Sequence, residues 1–131
     1  MKREYLGGCH CGAVRFRANL DLNAGTFKCN CEMCAKTRLW GAQVAPDDFE
    51  LVSGQSNLVD YRPENAHHFF CNTCGVRSFA QVEGPGGEKF FVVRVNCLAG
   101  VDIDELMNAP IVYFDGLHDN YQTPPAETRH L

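Results

Sequence analysis

A chain of 131 residues fits one domain and little more, and at this size roughly two-thirds of the unfolded surface can be buried. With 45% hydrophobic and 21% charged residues, nine Phe and four Tyr, the composition is that of a packed globular protein, which excludes disorder as a description of the whole. A net charge of −4 argues against a basic nucleic-acid footprint, and apolar runs as short as Phe90-Phe91-Val92-Val93 exclude a membrane-spanning helix, which needs about 20 residues.

In chain order, residues Met1 to Gly8 offer no apolar stretch of the kind an export signal needs, so a cytoplasmic setting is expected. Short segments rich in aromatic and β-branched residues, separated by turn formers, predict strands over 13–18, 26–31, 40–45, 49–53, 58–62, 67–71, 76–82, 89–97 and 111–114. Gly84-Pro85-Gly86-Gly87 reads as the hairpin loop joining the two longest of these. Helical signals are confined to a turn or two at 34–38 and another at 102–107, and residues 120–131 read as an irregular C-terminal tail. The expectation is a single, mainly β domain over residues 1–131.

Eight cysteines dominate the chemistry: Cys9, Cys11, Cys29, Cys31, Cys34, Cys71, Cys74 and Cys97. Their grouping is C-x-C, C-x-C-x-x-C, C-x-x-C and one alone. A disulfide framework is disfavoured, because a reducing cytosol does not sustain one. Cysteines one or two residues apart are also badly placed to bridge each other, yet well placed to converge on one ion. Residues i and i+2 of an extended chain face the same side, so Cys9 and Cys11 present two thiolates together. Cys29 and Cys31 do likewise, and a turn brings Cys34 round to add a third. Cys71-Asn72-Thr73-Cys74-Gly75 reads as a zinc-knuckle loop in which the glycine takes a positive φ. Thiolate-only ligation points to Zn²⁺ or iron–sulfur. A structural zinc wants four ligands and a reactive one keeps a position open, so seven clustered cysteines divide naturally into four plus three. Spacing alone leaves open which cysteines share an ion.

Gly7-Gly8-Cys9-His10-Cys11-Gly12-Ala13-Val14-Arg15-Phe16 resembles the opening motif of the glutathione-dependent formaldehyde-activating (GFA) family, which includes the centromere protein V type domains. Cys29-Asn30-Cys31-Glu32-Met33-Cys34 is similar to that family's second motif and Phe70-Cys71-Asn72-Thr73-Cys74-Gly75 to its third, with Gly116-Leu117-His118-Asp119-Asn120 similar to its C-terminal segment. The resemblance implies an Mss4-like, mainly β fold of short antiparallel strands stapled by zinc. It implies two Zn²⁺ per chain: a structural one on Cys9, Cys11, Cys71 and Cys74, and a second, open one on Cys29, Cys31 and Cys34. The second motif departs from the common family pattern in carrying Asn30, Glu32 and Ala35 where His, Ser and Arg are usual, while Lys36 is kept. Glu32 places a carboxylate beside the implied open zinc, where it opposes an anionic thiol.

Three thiolates leave Zn²⁺ with a formal charge of −1, a weaker Lewis acid than zinc on three neutral histidines, so hydrolysis is not its natural work. An incoming thiol is the better fourth ligand, and its bound sulfur favours attack on a small electrophilic carbon. The reading is a zinc-dependent carbon–sulfur lyase, like S-(hydroxymethyl)glutathione synthase, joining a thiol such as glutathione to formaldehyde or a similar aldehyde. Lys36 and Arg38, just after the three-cysteine motif, are the expected cationic partners for substrate carboxylates. The expected partners are therefore a small thiol and a small aldehyde, with no nucleic acid and no membrane, and a homodimer is left open. Three competing readings are a zinc-stabilised interaction module without catalysis, a redox enzyme using Cys97, and a formaldehyde carrier without true catalysis, since thiol addition to formaldehyde also proceeds unaided. The ordinary reading of Cys97, a buried cysteine closing an apolar strand, weighs against the redox reading. His10 should point away from its flanking ligands. His67 and His68 fall on opposite faces of their strand, and either reads as a surface or strand residue unless one reaches a site. Trp40 packs in the core or on a pocket wall. No general base is evident.

Overall fold

The structure is a computed structural model, and it describes residues 1–84 and 86–131. Ten strands dominate it: β1 (Arg3–Gly8), β2 (Arg15–Leu20), β3 (Thr26–Cys29), β4 (Gly41–Val44), β5 (Phe49–Ser53), β6 (Leu58–Tyr61), β7 (Ala66–Cys71), β8 (Phe79–Glu83), β9 (Lys89–Arg94) and β10 (Ile111–Phe114). Two six-residue helices accompany them, α1 (Glu32–Thr37) and α2 (Ile103–Asn108). The fold is mainly β, as the sequence leads one to expect.

The strands form a three-stranded sheet in the order β1-β2-β5 and a seven-stranded sheet in the order β10-β3-β4-β9-β8-β7-β6. All recorded pairings are antiparallel except β10 with β3, which run parallel. Alternation decides the layering. On β2, Phe16, Ala18 and Leu20 point inward and are buried, while Arg15 and Asn19 face water. On β9, Val93 is buried and Phe91 packs against the core. Aromatic rings weld the sheets together: Phe49 of β5 lies 5.4 Å from Phe16, 4.1 Å from Phe91 and 4.9 Å from Phe79, measured between ring centroids. Such pairs add roughly 0.5–1.5 kcal/mol each beyond the area they bury.

Several boundaries differ from the sequence reading for local reasons. β1 was not expected, because Lys2, Arg3 and Glu4 mask its alternation; Tyr5 and Gly7 form its buried side, and it pairs with β2 over six residues. β3 stops at Cys29 because Cys31 leaves the sheet to cap α1. β9 stops at Arg94, where residues 95–97 coil into a 3₁₀ turn. β8 starts only at Phe79. The β8–β9 hairpin is present, with Glu83 opposite Lys89 and the Gly84 N–H donating to the Glu88 carbonyl at 2.7 Å, while Pro85 of the expected loop lies outside the described residues. Residues 121–131 form neither helix nor strand, yet they pack back on the domain: Leu131 is buried, and its oxygen accepts from Lys28 Nζ at 3.2 Å and from Arg38 Nη2 at 3.4 Å.

Candidate metal centres and the adjoining cavity

The first cysteine group is built by two turns from different sheets. Cys9 and Cys11 lie in the turn between β1 and β2, Cys71 ends β7, and Cys74 lies in the turn that follows it. One sulfur from each of the four lies within 4.8 Å of every other. The Cys9–Cys11 and Cys11–Cys71 sulfur separations are 3.7 and 3.6 Å. A tetrahedron of sulfurs about 2.3 Å from a central zinc has edges of about 3.8 Å. The local backbone explains the convergence. Gly75, at φ +74°, lets its N–H return to the Cys71 carbonyl at 2.8 Å and close the knuckle. The N–H groups of Val14 and Thr73 donate to the sulfurs of Cys9 and Cys71 at 3.3 and 3.4 Å. Backbone N–H groups of Cys74 and Thr73 lower the Cys71 thiol, and those of Cys11 and Val76 bring Cys74 down to about 6. The Ala13 N–H favours a thiolate at Cys11 too, but burial and proton sharing with Cys71, Cys9 and Cys74 outweigh it and raise that thiol to about 11, so the backbone favours thiolates at Cys71 and Cys74.

The second group, Cys29, Cys31 and Cys34, converges equally closely, with its three sulfurs within 4.8 Å of one another. Cys31 is the N-cap of α1, and its sulfur accepts from the Cys34 N–H at 3.4 Å, the role Ser or Asn usually plays. One helical turn therefore sets Cys31 and Cys34 side by side, and the end of β3 delivers Cys29. Hydrogen bonds from the thiols of Cys31 and Cys34, together with N–H groups of Cys31 and Gly116, hold Cys29 well below the usual thiol range. The same proton sharing drives Cys34 up. Three thiols that cannot all ionise unaided are a donor set that a soft divalent cation satisfies.

Around this group the structure gathers Asn30 and the segment 116–120 noted in the sequence, and adds Asp115 and Tyr121, which the sequence did not single out. A Cβ at Gly116 would fall 2.6 Å from the Cys29 sulfur and 3.4 Å from the Tyr121 hydroxyl, so only glycine lets this backbone lie against the cluster. Asn30 fixes that loop: its Nδ2 donates to Asp115 Oδ1 at 2.8 Å, and its Oδ1 accepts from the Leu117 N–H at 3.0 Å. Asp115 in turn bonds His118 Nδ1 at 2.9 Å.

The three thiols form part of the wall of a cavity of about 590 Å³ laid along one face of the seven-stranded sheet, within the range of small-molecule sites. Alternation on β9 sends Phe90, Val92 and Arg94 to this face and Phe91 and Val93 to the core. Arg77, Arg94, His68 and Tyr121 also line it. Burial, followed by the charges of Arg77 and Arg94, holds His68 below the ordinary histidine range. His67, on the opposite face, bonds Asp60 at 2.7 Å and stacks on Phe69.

The remaining candidates lie elsewhere. Lys36 pairs with Glu32 at 3.2 Å on the solvent face of α1, both side chains more than 70% exposed, so neither is turned toward the cavity. Arg38 ends α1 in the left-handed region at φ 49° and reaches the Leu131 oxygen. Neither Lys36 nor Arg38 lines the cavity. His10 is exposed and outside the cysteine group. Trp40 donates to Thr26 Oγ1 at 2.7 Å and packs on the core. Burial pushes the Cys97 thiol up, away from the thiolate a redox cysteine needs, and it points at the Arg77 carbonyl, 3.8 Å away.

Comparison with known proteins gives this arrangement its context. The family model described as "Glutathione-dependent formaldehyde-activating enzyme" matches residues 4–112, which takes in both cysteine groups. The chain belongs to the GFA family. A solved crystal structure of a Rhodobacter sphaeroides protein is similar to it at 30% identity and a TM-score of 0.69, covering 82% of this chain and 99% of that one. The GFA match ends before Gly116 and Tyr121, so the loop over the three-cysteine group comes from outside the matched region.

Proposed function

We propose that this GFA chain is a zinc-dependent carbon–sulfur lyase of the cytoplasm, in which Cys9, Cys11, Cys71 and Cys74 hold a structural zinc and Cys29, Cys31 and Cys34 a second, open one. The observation that carries the reading is the division itself. Four thiols close on one another between two sheets, while three meet on the wall of a cavity with room for a ligand. Zinc on three thiolates supplies a position where an incoming thiol binds as the more nucleophilic thiolate. The reaction joins a thiol to an aldehyde: the sulfur–carbon bond forms, the carbonyl π bond breaks, and the proton given up by the thiol ends on the former carbonyl oxygen. With glutathione and formaldehyde the product is S-hydroxymethylglutathione.

The chain's own groups divide the remaining work. The Gly116 N–H and the Cys31 N–H orient the Cys29 sulfur, and Asn30 holds the loop that carries Gly116. Tyr121 lines the same cavity as the three thiols and offers a hydroxyl that can hydrogen-bond the carbonyl oxygen.

Thiol addition to formaldehyde also proceeds unaided, so the test is a rate rather than a product. Exchange NMR on formaldehyde and glutathione should show interconversion with the adduct well above the uncatalysed rate for the zinc-loaded protein, and at the uncatalysed rate for Cys31→Ser. Equal, uncatalysed exchange with both proteins would contradict the proposal and leave a carrier or an interaction module.

A further inference from the structure

The cavity is unequal along its length. The strand register puts Gly41 opposite Arg94, Gln43 opposite Val92, Ala80 opposite Val92 and Val82 opposite Phe90. Moving along β9 from Arg94 to Phe90, the floor therefore passes from the arginine end to an apolar end of Val82, Phe90 and Val92. Ser78, next to Arg77, accepts the Arg94 N–H at 2.9 Å through its carbonyl, which sets the two arginines at the same end.

Their bonding differs. Arg94 is already committed: Nη1 donates to the Thr37 carbonyl at 3.0 Å and Nη2 to Thr37 Oγ1 at 3.1 Å, which ties it to α1 beside the three-cysteine group. Arg77 lies over the Phe70 ring at 5.3 Å, and its Nη1 is buried without a hydrogen-bond partner among the described residues. A buried guanidinium N–H left without an acceptor is costly and strongly favours an anion. No Asp or Glu is among the described residues that line the cavity, although the whole chain is net acidic. Arg77 lines this cavity and carries a guanidinium with no acceptor among the described residues, so an anion entering the cavity is the partner its charge favours.

We propose that the cavity binds an amphipathic organic acid, its anionic head on Arg77 beside the three thiols and its apolar body along Val92, Val82 and Phe90. The inference rests on the reading above for the chemistry done at the head. It narrows the substrate class: the molecule carrying the thiol or the aldehyde is an acid with a hydrocarbon or aromatic body, a better match to this lining than a polar tripeptide. Arg77 is the specificity-determining residue, and Arg94 positions α1 against it.

The binding test needs no turnover. With zinc-loaded protein, 8-anilinonaphthalene-1-sulfonate, an aromatic anion, should bind with enhanced fluorescence, and octanoate should displace it at least tenfold more effectively than octan-1-ol or acetate. Arg77→Gln should abolish the preference of octanoate over octan-1-ol while leaving octan-1-ol competition unchanged. If that variant fails to fold, Arg77→Lys should retain the preference but reduce it several-fold. Equal displacement by octanoate and octan-1-ol, equal displacement by octanoate and acetate, or an unchanged preference in Arg77→Lys would each overturn the inference. Arg77→Gln weakening both competitors alike would also overturn it, since Arg77 would then be serving the fold or the metal charge. The exchange experiment on Cys31→Ser tests the lyase reading separately: a dead exchange assay with intact octanoate selectivity condemns that reading alone.

Discussion

Gly116 is the residue where backbone geometry and metal chemistry meet most tightly. Its would-be Cβ lies 2.6 Å from the Cys29 sulfur, closer than any real contact, so Gly116→Ala must move either the loop or the cysteine. The expected outcome is loss of metal from the three-cysteine group alone: zinc content falling from two per chain toward one, with a melting temperature within a few degrees of the parent. Asn30→Ala should act in the same direction but less completely, weakening metal affinity there by roughly 10- to 100-fold, the usual cost of an outer-shell partner. Competitive titration with a chromophoric chelator measures both. His68 gives a residue-scale pH effect. Burial and then the charges of Arg77 and Arg94 lower its folded pKa beneath the unfolded value near 6.5. Between those two values the unfolded chain binds more protons than the folded one, so stability rises with pH through that window and falls on acidification. His68→Gln should flatten the dependence, seen as a smaller difference between denaturation midpoints at pH 5 and pH 7 than in the parent. An identical difference in the two proteins would contradict it.

Among the elements, the two cysteine groups do different structural work. With a metal bound, the four-cysteine group would tie the β1–β2 turn to the end of β7 and the turn after it, joining the two sheets across 59 residues of intervening chain between Cys11 and Cys71. Closing a loop of that length with a cross-link contributes about 4 kcal/mol in chain-entropy terms. The three-cysteine group spans only β3 and the first turn of α1. Cys71→Ser should therefore lower the thermal midpoint by 10 °C or more, whereas Cys31→Ser should cost only a few degrees; the reverse order in a thermal melt would contradict this division. The same contrast explains what was legible in the sequence. The three-cysteine group and the two halves of the four-cysteine group are written in local spacings of two and three residues, as are the strands whose aromatic and β-branched residues cluster, but that the C-x-C and C-x-x-C halves share one site comes only from the family resemblance. β1 was hidden because its buried side carries only Tyr5 and Gly7 among charged neighbours, and its stability comes from pairing with β2. Arg77, Arg94, His68 and Tyr121 reach the cavity, and Gly116 the Cys29 sulfur, through strand register and a returning loop, which no local spacing records. One signal was present: Phe90-x-Val92-x-Arg94 places a charge on an apolar strand face, a pattern that asks for a partner. Lys36 and Arg38 had sequence proximity to the cysteines, but the turn of α1 and its left-handed end direct them outward.

For the whole molecule, the account holds that one chain carries a closed metal site that fastens its sheets and an open one that faces a cavity. The sheets are already joined by the Phe16, Phe49, Phe79 and Phe91 rings, so the open site can lose metal without loss of the fold. The most direct test replaces zinc by cobalt at both groups and titrates the protein with a small neutral thiol, reading the sulfur-to-cobalt charge-transfer absorption. The account predicts an increase that saturates at one thiol per chain and disappears in Cys31→Ser, with the spectrum of the four-cysteine site unchanged. No change on adding thiol, with two cobalt ions bound, would mean that both sites are closed and would contradict it.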